Sequence, residues 1–327
     1  MAGPDRRVCV IGAQGALGTA VAEQFASTGW TVYPAGRRAD RREGFRRVDL
    51  NLPETVGAAL RDVEVVVSTV AHAELNVERL VLEQGGILVN CSHAPGQAAA
   101  ELTNEVGGAQ GTVLLNAGLV PGIANLAAAE LLRRHPQADC LEVAFTVLKE
   151  GTAGKAGGEF AHGGLTSQSH HRVVELPFPQ PFGRLPCIEI SEHDDCGFGG
   201  VAGPRRIENY LGFADRSIRL GLRTANALRL MRLLPEAAFA VSRGRQKETS
   251  REPTAVWVGA RQGDERLGAS IIECEGDYRT TAEAARVFSE ALLTAKRPGC
   301  FNPEDLFDLS DLLSKLADAG VRVARDR

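Results

Sequence analysis

The sequence has no large excess of basic residues, no long apolar run and no paired cysteines. Its 327 residues carry 37 basic and 41 acidic side chains, a net charge of -4, so the overall charge does not favour binding to nucleic acid. No apolar stretch reaches the roughly 18–20 residues that span a bilayer. The apolar run that begins at Val8 stops at Gly12, too early for a signal-peptide core. We expect a cytoplasmic protein that contacts neither nucleic acid nor membrane.

Sequence motifs of several other classes of protein are also missing. The seven cysteines are scattered and contain no C-x-x-C pair, which favours free thiols in a reducing compartment. No G-x-S-x-G elbow and no P-loop lysine motif occurs, so hydrolase and nucleoside triphosphatase activities lack support. The histidines, aspartates and cysteines between His162 and Cys196 follow no known ligand spacing, and we expect no metal site. The length indicates two domains.

A glycine-rich turn follows the first apolar run, residues 8–11. Its spacing is G-x-x-G-x-x-G, and apolar residues then recur at helical spacing until Gly29. A strand, a glycine turn and a helix in this order are typical of a dinucleotide site, where backbone amides at a helix N-terminus hold the pyrophosphate. The alternative is a turn that binds nothing. The residues expected to contact the cofactor are Gly12, Gln14, Gly15, Ala16, Leu17 and Gly18.

The second predicted strand, residues 31–35, is followed by Gly36, Arg37 and Arg38. An acidic residue at this place binds the ribose of NAD, whereas arginine binds the 2′-phosphate of NADP. The pattern therefore predicts NADP, unless the arginines are simply part of a solvated basic loop. Asp49, after the next apolar step, is expected to face the adenine.

Buried strands at 63–68, 86–91 and 112–116 alternate with helices at 76–84 and 97–106. This alternation predicts a Rossmann-type α/β fold, a doubly wound parallel sheet, over residues 1–118. Ligands bind at the carboxyl ends of such strands. Further cofactor contacts are therefore expected at Thr69, Val70, Ala71, Asn90, Ala117 and Gly118.

The rest of the chain predicts a second, α+β domain over 119–300 for substrate binding and dimerisation, then a helical segment at 301–327 that packs back on the first domain. Strands are expected at 141–148, 254–262 and 266–275, helices at 216–234 and 280–295, and a glycine-rich loop at 149–164. Pro121 is expected to begin a helix whose free amides, together with Gly122 and Asn125, bind the substrate. The alternative is a hinge without chemistry.

Three segments resemble the saccharopine dehydrogenase (saccharopine reductase-like) family. They are the glycine loop with its arginine at 37, the N-A-G-L-V-P-G-I-A-N-L stretch at 116–126, and Thr281-Ala282 through Pro298-Gly299 to Pro303-Glu304. The resemblance implies a nicotinamide-dependent oxidoreductase, often a dimer, that moves hydride to or from an imine, a carbonyl or an activated alkene of a small molecule. Asn90 and Asn116 depart from the family pattern, which commonly has acids there. A non-catalytic NADP-binding sensor or accessory protein, or a cofactor-scaffolded isomerase or cyclase, is the alternative.

Hydride transfer to an imine or carbonyl needs a fixed cofactor and a proton donor. His93 follows the fourth strand at the expected cofactor edge, and imidazole titrates near neutral pH. His162 and Lys155 in the glycine-rich loop are the other predicted catalytic residues. Lys155, Arg172, Arg205 or Arg206 could instead anchor a substrate carboxylate.

Overall fold

The structure is a computed structural model that describes residues 6–104, 107–147, 155–190, 195–235 and 251–326. It divides into two compact units, each with one seven-stranded sheet. The first unit comprises Met1–Leu126 and Tyr278–Ala319, and the second comprises Ala127–Asp277 and Gly320–Arg327. None of the helices in the described ranges is long and apolar enough to cross a membrane.

The strands are, in chain order, β1 (Arg7–Ile11), β2 (Thr31–Gly36), β3 (Arg46–Arg47), β4 (Val65–Ser68), β5 (Ile87–Asn90), β6 (Thr112–Leu114), β7 (Cys140–Val147), β8 (Val173–Pro177), β9 (Arg184–Glu189), β10 (Arg206–Phe213), β11 (Pro253–Gln262), β12 (Glu265–Glu275), β13 (Gly299–Phe301) and β14 (Arg322–Asp326). The helices are α1 (Ala16–Ser27), α2 (Pro53–Val56), α3 (Asn76–Gln84), α4 (Gly96–Asn104), α5 (Ile123–Arg134), α6 (Lys155–Thr166), α7 (Gly199–Ala202), α8 (Arg216–Ala227), α9 (Asp277–Thr294), α10 (Pro303–Leu306) and α11 (Leu309–Leu313).

The first unit contains a parallel sheet of order β13-β6-β5-β4-β1-β2-β3. All four residues of β4 and all four of β5 are buried, as expected for central strands of a sheet that helices cover on both faces. The strand order reverses between β1 and β4, so the loops after these strands lie at the switch point where ligands bind in such sheets. The predicted Rossmann-type doubly wound sheet is confirmed.

The second unit contains a mixed sheet of order β14-β12-β11-β7-β10-β9-β8. Only β7 and β10 pair in parallel, and the other neighbours are antiparallel. One face of the sheet packs against α6 and α8 through Leu165, Leu211 and Leu222. Asp215 caps α8, because its carboxylate accepts the amides of Ser217 and Ile218. The expected second α+β domain is therefore present.

Several predicted elements differ from the structure. The glycine-rich loop expected at 149–164 is helical from Lys155 onward, and the helix expected at 216–234 ends at Ala227 with only a short 3-10 turn at Met231–Leu233. Most of α9, which we expected in the second domain, belongs to the first unit together with β13, because β13 pairs with β6 in the parallel sheet. The chain after α11 then enters the second sheet as β14.

Candidate functional site

The turn after β1 contains three glycines under different constraints. Gly12 has a φ of +83°, and a Cβ there would lie 2.5 Å from Thr69 Oγ1. A Cβ on Gly18 would lie 2.1 Å from the carbonyl oxygen of Gly12, so the start of α1 can approach this turn only with glycine at that position. Gly15 is exposed, and a Cβ there would make only an ordinary contact at 3.4 Å. The fold therefore requires Gly12 and Gly18 but leaves Gly15 open to a ligand.

Helix α1 begins at this turn with unused backbone donors. Gly15 precedes the helix without a side-chain cap, and the first turn has no acidic residue. Thr19 is the first residue whose amide bonds back, to the Gly15 carbonyl at 2.9 Å. Among the described residues, no acceptor faces the amides of Ala16 and Leu17. Free amides at the positive end of a twelve-residue helix are an arrangement that suits an anion such as a phosphate.

Two exposed arginines, Arg37 and Arg38, follow β2. Gln14 Nε2 donates to the backbone carbonyl of Arg38 at 3.2 Å, and neither guanidinium group has a partner in the described part of the chain. The neighbouring carboxylate of Asp40 is already paired, because Arg42 donates to it from Nη2 at 2.7 Å and from Nε at 3.0 Å. These hydrogen bonds lower the pKa of Asp40 to about 2. Gln14 Nε2 lies 3.2 Å from Asp40 Oδ2 and ties the glycine turn to this loop. The sequence analysis missed the Asp40–Arg42 pair. Because Asp40 is occupied by Arg42, it does not neutralise Arg37 and Arg38, and the end of β2 stays cationic.

Asp49, predicted to face the adenine, stabilises its own turn. Its Oδ1 accepts the backbone amide of Asn51 at 3.1 Å and the side-chain amide at 3.3 Å. The Asp49 amide donates to Thr55 Oγ1 at 2.9 Å. The structure thus gives this residue a local role, and its contact with adenine stays a prediction.

The loops after β4 and β5 meet at the carboxyl edge of the parallel sheet. Thr69 Oγ1 donates to the carbonyl of Ile11 at 2.9 Å, so the 69–71 loop is held against the end of β1. Ser92 Oγ lies 3.2 Å from the carbonyl oxygen of Val70, so the two loops are in contact. Val70 and Ala71 are exposed. The predicted contacts Gly12, Thr69, Val70 and Ala71 are therefore brought together beside the glycine turn.

The chain is similar in fold to a saccharopine dehydrogenase. The L-Glu-forming enzyme from Saccharomyces cerevisiae aligns with a TM-score of 0.62 at 13% identity, over 98% of this chain and 100% of that chain. A dihydrodipicolinate reductase from Paenisporosarcina gives a TM-score of 0.42 at 10% identity, over 92% of this chain and 99% of that chain. The WlbA dehydrogenase from Thermus thermophilus, in complex with NAD and UDP-GlcNAcA, gives 0.40 at 14% identity over 96% and 93%. No family model and no curated protein matches the sequence.

At these identities the likeness establishes the fold, and it agrees with the resemblance to the saccharopine dehydrogenase family that the glycine loop, the 116–126 stretch and the C-terminal motifs carry. Within this saccharopine dehydrogenase-like fold, the details of the site come from the chain's own residues.

A buried carboxyl group that the sequence analysis missed lies behind the end of β5. Glu78, on α3, is 1% exposed, and burial raises its pKa to about 7. Its Oε1 accepts the side-chain amide of Asn90 at 2.6 Å, and Asn90 Oδ1 accepts from Ser92 Oγ at 2.5 Å. The side chain of Asn90, predicted to contact the cofactor, therefore has protein partners at both polar atoms. A glutamate in a helix gives no sequence signal of such burial.

His93 is half-buried on the loop after β5, at the carboxyl edge where it was predicted. A second histidine, His72, lies on the loop after β4, and its Nδ1 is buried without a partner among the described residues. The sequence analysis did not single out His72. The two imidazoles follow neighbouring strands of the parallel sheet.

The 116–125 segment forms a closed loop, and two expectations about it are wrong. Helix α5 begins at Ile123 and not at Pro121, because Gly122 has a φ of +134°, outside the helical region. The first amides of α5 are not free: Ile123 donates to the Gly118 carbonyl at 2.8 Å, and Ala124 to the Leu119 carbonyl at 3.0 Å.

The side chain of Asn125 completes this loop by accepting the amide of Gly122 at 2.9 Å. Pro121 and Asn125 are both buried. Ala117, predicted to contact the cofactor, donates its amide to the Asn90 carbonyl at 2.8 Å, and Gly118 donates to Pro121 at 2.9 Å. The geometry therefore favours a structural role for this segment, and substrate or cofactor contacts there stay predictions.

A second carboxyl group, with one buried oxygen, lies close to this loop. Glu304, the second residue of α10, has its Oε1 3.5 Å from Asn125 Nδ2. Burial raises the pKa of Glu304 to about 7, and its Oε2 has no hydrogen-bond partner in the described chain. Pro303-Glu304 was recognised in the sequence as part of the family resemblance, but the burial of the carboxyl group was not predicted.

The other predicted catalytic and substrate-binding residues belong to the second unit. His162 lies in α6, with Nε2 3.0 Å from the carbonyl oxygen of Leu234. Lys155 is the first residue of α6, and its side chain lies outside the described part of the structure. Arg172 and Arg206 both pair with Glu208, at 2.9 and 2.8 Å.

Arg205 is the remaining candidate anchor in the second unit, and it donates from Nε to the carbonyl of Ala138 at 3.0 Å. Of the region considered for metal binding, residues 191–194 lie outside the described ranges, so the placement of His193 and Asp194 is not described. No group of three potential ligands occurs among the described histidines, cysteines and acids.

Proposed function

We propose that the chain is an NADP-dependent oxidoreductase of the saccharopine dehydrogenase type, which moves a hydride to or from an imine, carbonyl or activated alkene of a small molecule. One observation carries the proposal. The open glycine turn and the free first amides of α1 lie next to Arg37 and Arg38, which have no carboxylate partner among the described residues. Amides suit a pyrophosphate and guanidinium groups suit the 2′-phosphate. The overall fold likeness supports the same class of enzyme.

The residues present fit such a cofactor. Gly15 leaves room for a pyrophosphate that any side chain would displace. The 69–71 loop and Ser92 border the same sheet edge, where the nicotinamide would lie. When bound, the nicotinamide supplies the hydride. The chain positions the cofactor and substrate, excludes water and donates a proton. His93 is the residue we assign as proton donor, with His162 and Lys155 as the other candidates.

We also propose that the protein acts in the cytoplasm and as a homodimer. The compartment is supported by the seven cysteines, all of which are buried and none of which is in a disulfide. The dimer rests on the resemblance to the saccharopine dehydrogenase family, and sedimentation of the purified chain would test it.

Cofactor choice tests the proposal. We expect NADPH to bind more tightly than NADH in a fluorescence titration. Arg37→Ala should weaken NADPH binding by about 1.5–3 kcal/mol, roughly 10- to 150-fold, because a charged contact is lost, and should leave NADH binding unchanged. Arg61→Ala, an exposed arginine outside this loop, is the control and should change neither. Equal affinity for both cofactors, or equal weakening of both by Arg37→Ala, would contradict the proposal.

A further inference from the structure

Two buried asparagines hold the backbone on either side of His93. Asn90, the last residue of β5, accepts the amide of Ser92 at Oδ1, at 2.8 Å. Asn116, which follows β6, accepts the amide of Ala94 at Oδ1, at 3.1 Å. The two asparagines are 1% and 4% exposed. The residues immediately before and after His93 therefore each have their amide fixed by a side chain from a neighbouring strand end.

Each asparagine is oriented by a second hydrogen bond at its other end. Asn90 Nδ2 donates to Glu78 Oε1 at 2.6 Å, and Asn116 Nδ2 donates to Asn302 Oδ1 at 2.9 Å. Since the nitrogen of each amide is occupied in this way, the oxygen is the end that faces the His93 loop. Asn116 also has a φ of +54°, a left-handed conformation that asparagine tolerates better than most residues. The orientation of both side chains is thus fixed at each end. One end bonds to the His93 loop, and the other bonds to Glu78 on α3 or to Asn302, which precedes α10.

We propose that Asn90 and Asn116 are positioning residues that present the His93 imidazole to the nicotinamide edge of the site. This inference rests on the proposed function, because it gives His93 the role of proton donor. A proton donor is effective only when it is held in a productive geometry. The two bonds fix the backbone on both sides of His93 and do not themselves involve its imidazole.

The chemistry of the clamp explains why amides suit these two positions. An aspartate could accept the same backbone N–H, but its charge beside His93 would stabilise the imidazolium and raise the pKa of the histidine. Asparagine provides the acceptor without the charge. The family pattern commonly has acids at positions 90 and 116. Asparagines there agree with a mechanism in which His93, and not a carboxyl group at either position, donates the proton.

Histidine ring NMR tests the proposal on the full-length chain. The protein is labelled at histidine Cε1, the His93 signal is assigned by its loss in His93→Gln, and NADPH is the probe ligand. In the native protein we expect one sharp His93 signal that shifts when NADPH binds. Asn116→Ala should broaden or split this signal, because the loop loses a fixed amide. Asn116→Asp should restore a single signal but raise the pKa of His93.

A matched control exists in the second unit. Asn226 is 4% exposed, accepts the amide of His171 at 2.7 Å and donates to its carbonyl at 2.9 Å. Asn226→Ala removes an equivalent clamp and should change the His171 signal but not that of His93. If both alanine variants disturb His93 alike, the effect is general loosening and the proposal is wrong.

The remaining outcomes separate this inference from the proposed function. An unchanged His93 signal in Asn116→Ala, or an unchanged pKa in Asn116→Asp, would overturn the positioning role. If Asn116→Ala does not fold, the pKa in Asn116→Asp still decides. NADPH that binds without moving the His93 signal would refute the inference and leave the proposed cofactor intact, whereas a native protein that binds no NADPH would refute the proposed function.

Discussion

The two seven-stranded sheets place their buried polar side chains in different positions. In the parallel sheet of the first unit, neutral residues lie at the ends of strands, as Ser68 and Asn90 do. In the mixed sheet of the second unit, charged residues lie within the strands, with Glu142 and Glu208 side by side on β7 and β10 and Arg261 on β11. All of these residues are less than a tenth exposed.

Strand direction explains the difference. Parallel strands all end at the same edge, so their polar terminal residues accumulate around one opening, where a ligand can use them. In the mixed sheet only β7 and β10 run in parallel, so polar strand ends do not gather at one edge. The charged residues of β7, β10 and β11 instead pair with one another across the sheet. The first arrangement suits the site that we propose, whereas the second forms an ion-pair network whose removal should affect stability alone.

The largest effect is expected from breaking that network. Glu208 accepts from Arg261 and Arg206 at 2.8 Å, from Arg172 at 2.9 Å and from the hydroxyl of Tyr210 at 2.6 Å. Glu208→Ala removes one of the two carboxylates that face the buried Arg261 and the acceptor of the buried Tyr210 hydroxyl. It should lower the free energy of unfolding by about 3–5 kcal/mol. NADPH affinity should not change. Urea denaturation and a fluorescence titration measure the two quantities.

A surface pair provides the control for this variant. Glu175 lies 3.7 Å from Arg184, and both side chains are more than half exposed. Glu175→Ala should lower stability by less than about 1 kcal/mol. If the two variants lose similar stability, the buried network does not contribute as we describe.

The second effect concerns the loop before α5. A Cβ on Gly122 would lie 2.1 Å from the carbonyl oxygen of Gly118, and the φ of +134° disfavours any other residue. Gly122→Ala should therefore lower stability by about 3 kcal/mol, from backbone strain and the clash together. Gly221→Ala, at a helical position with no atom within 4 Å, should be neutral or slightly stabilising. A Gly122→Ala variant that melts like the native protein but has lost NADPH-dependent turnover would instead support a role in substrate binding.

The third effect is pH-dependent and sharpens the description of the parallel sheet. Burial raises the pKa of Glu78 from 4.5 to about 7, so between these values the folded chain binds more protons than the unfolded chain. Its stability should therefore fall as pH rises through this window. Relative to Glu78→Gln, the native protein should lose about 2–3 kcal/mol between pH 4.5 and pH 7.5. Denaturation at both pH values measures this difference.

Glu101→Gln, which removes an exposed carboxyl group of α4, controls for the change in net charge. A constant difference between the native protein and Glu78→Gln across this pH range would show that Glu78 stays ionised in the fold.

The sequence predicts the parallel sheet better than the mixed sheet. The continuous apolar runs at 65–67 and 87–89, each followed by a polar residue, mark buried strands and the sheet edge where ligands bind in folds of this type. The glycine spacing and Arg37 also predict a cofactor site from the sequence, because the residues of a turn and of the helix that follows it are close together in the chain. The boundaries in the second unit were less clear, since antiparallel pairing joins segments as distant as β12 and β14.

Contacts between distant residues explain what the sequence did not reveal at the site. The pairing of Asn116 with Asn302 spans 186 residues, and that of Asn125 with Glu304 spans 179. The burial of Glu78 and Glu304 depends on such packing and leaves no periodic pattern. The helix predicted to begin at Pro121 was displaced because the backbone of Gly122 adopts a conformation that closes the loop first.

The central claim is that the exposed glycine of the first turn leaves room for the phosphates of NADPH, and calorimetric titration of Gly15→Val tests it most directly. A Cβ at Gly15 meets nothing closer than 3.4 Å, so the variant should melt at the native temperature and fold normally. Gly57→Val, at another position with no atom within 4 Å, is the control. We predict that the native protein and Gly57→Val bind NADPH and that Gly15→Val does not. Native-like NADPH affinity in a folded Gly15→Val protein would contradict the account.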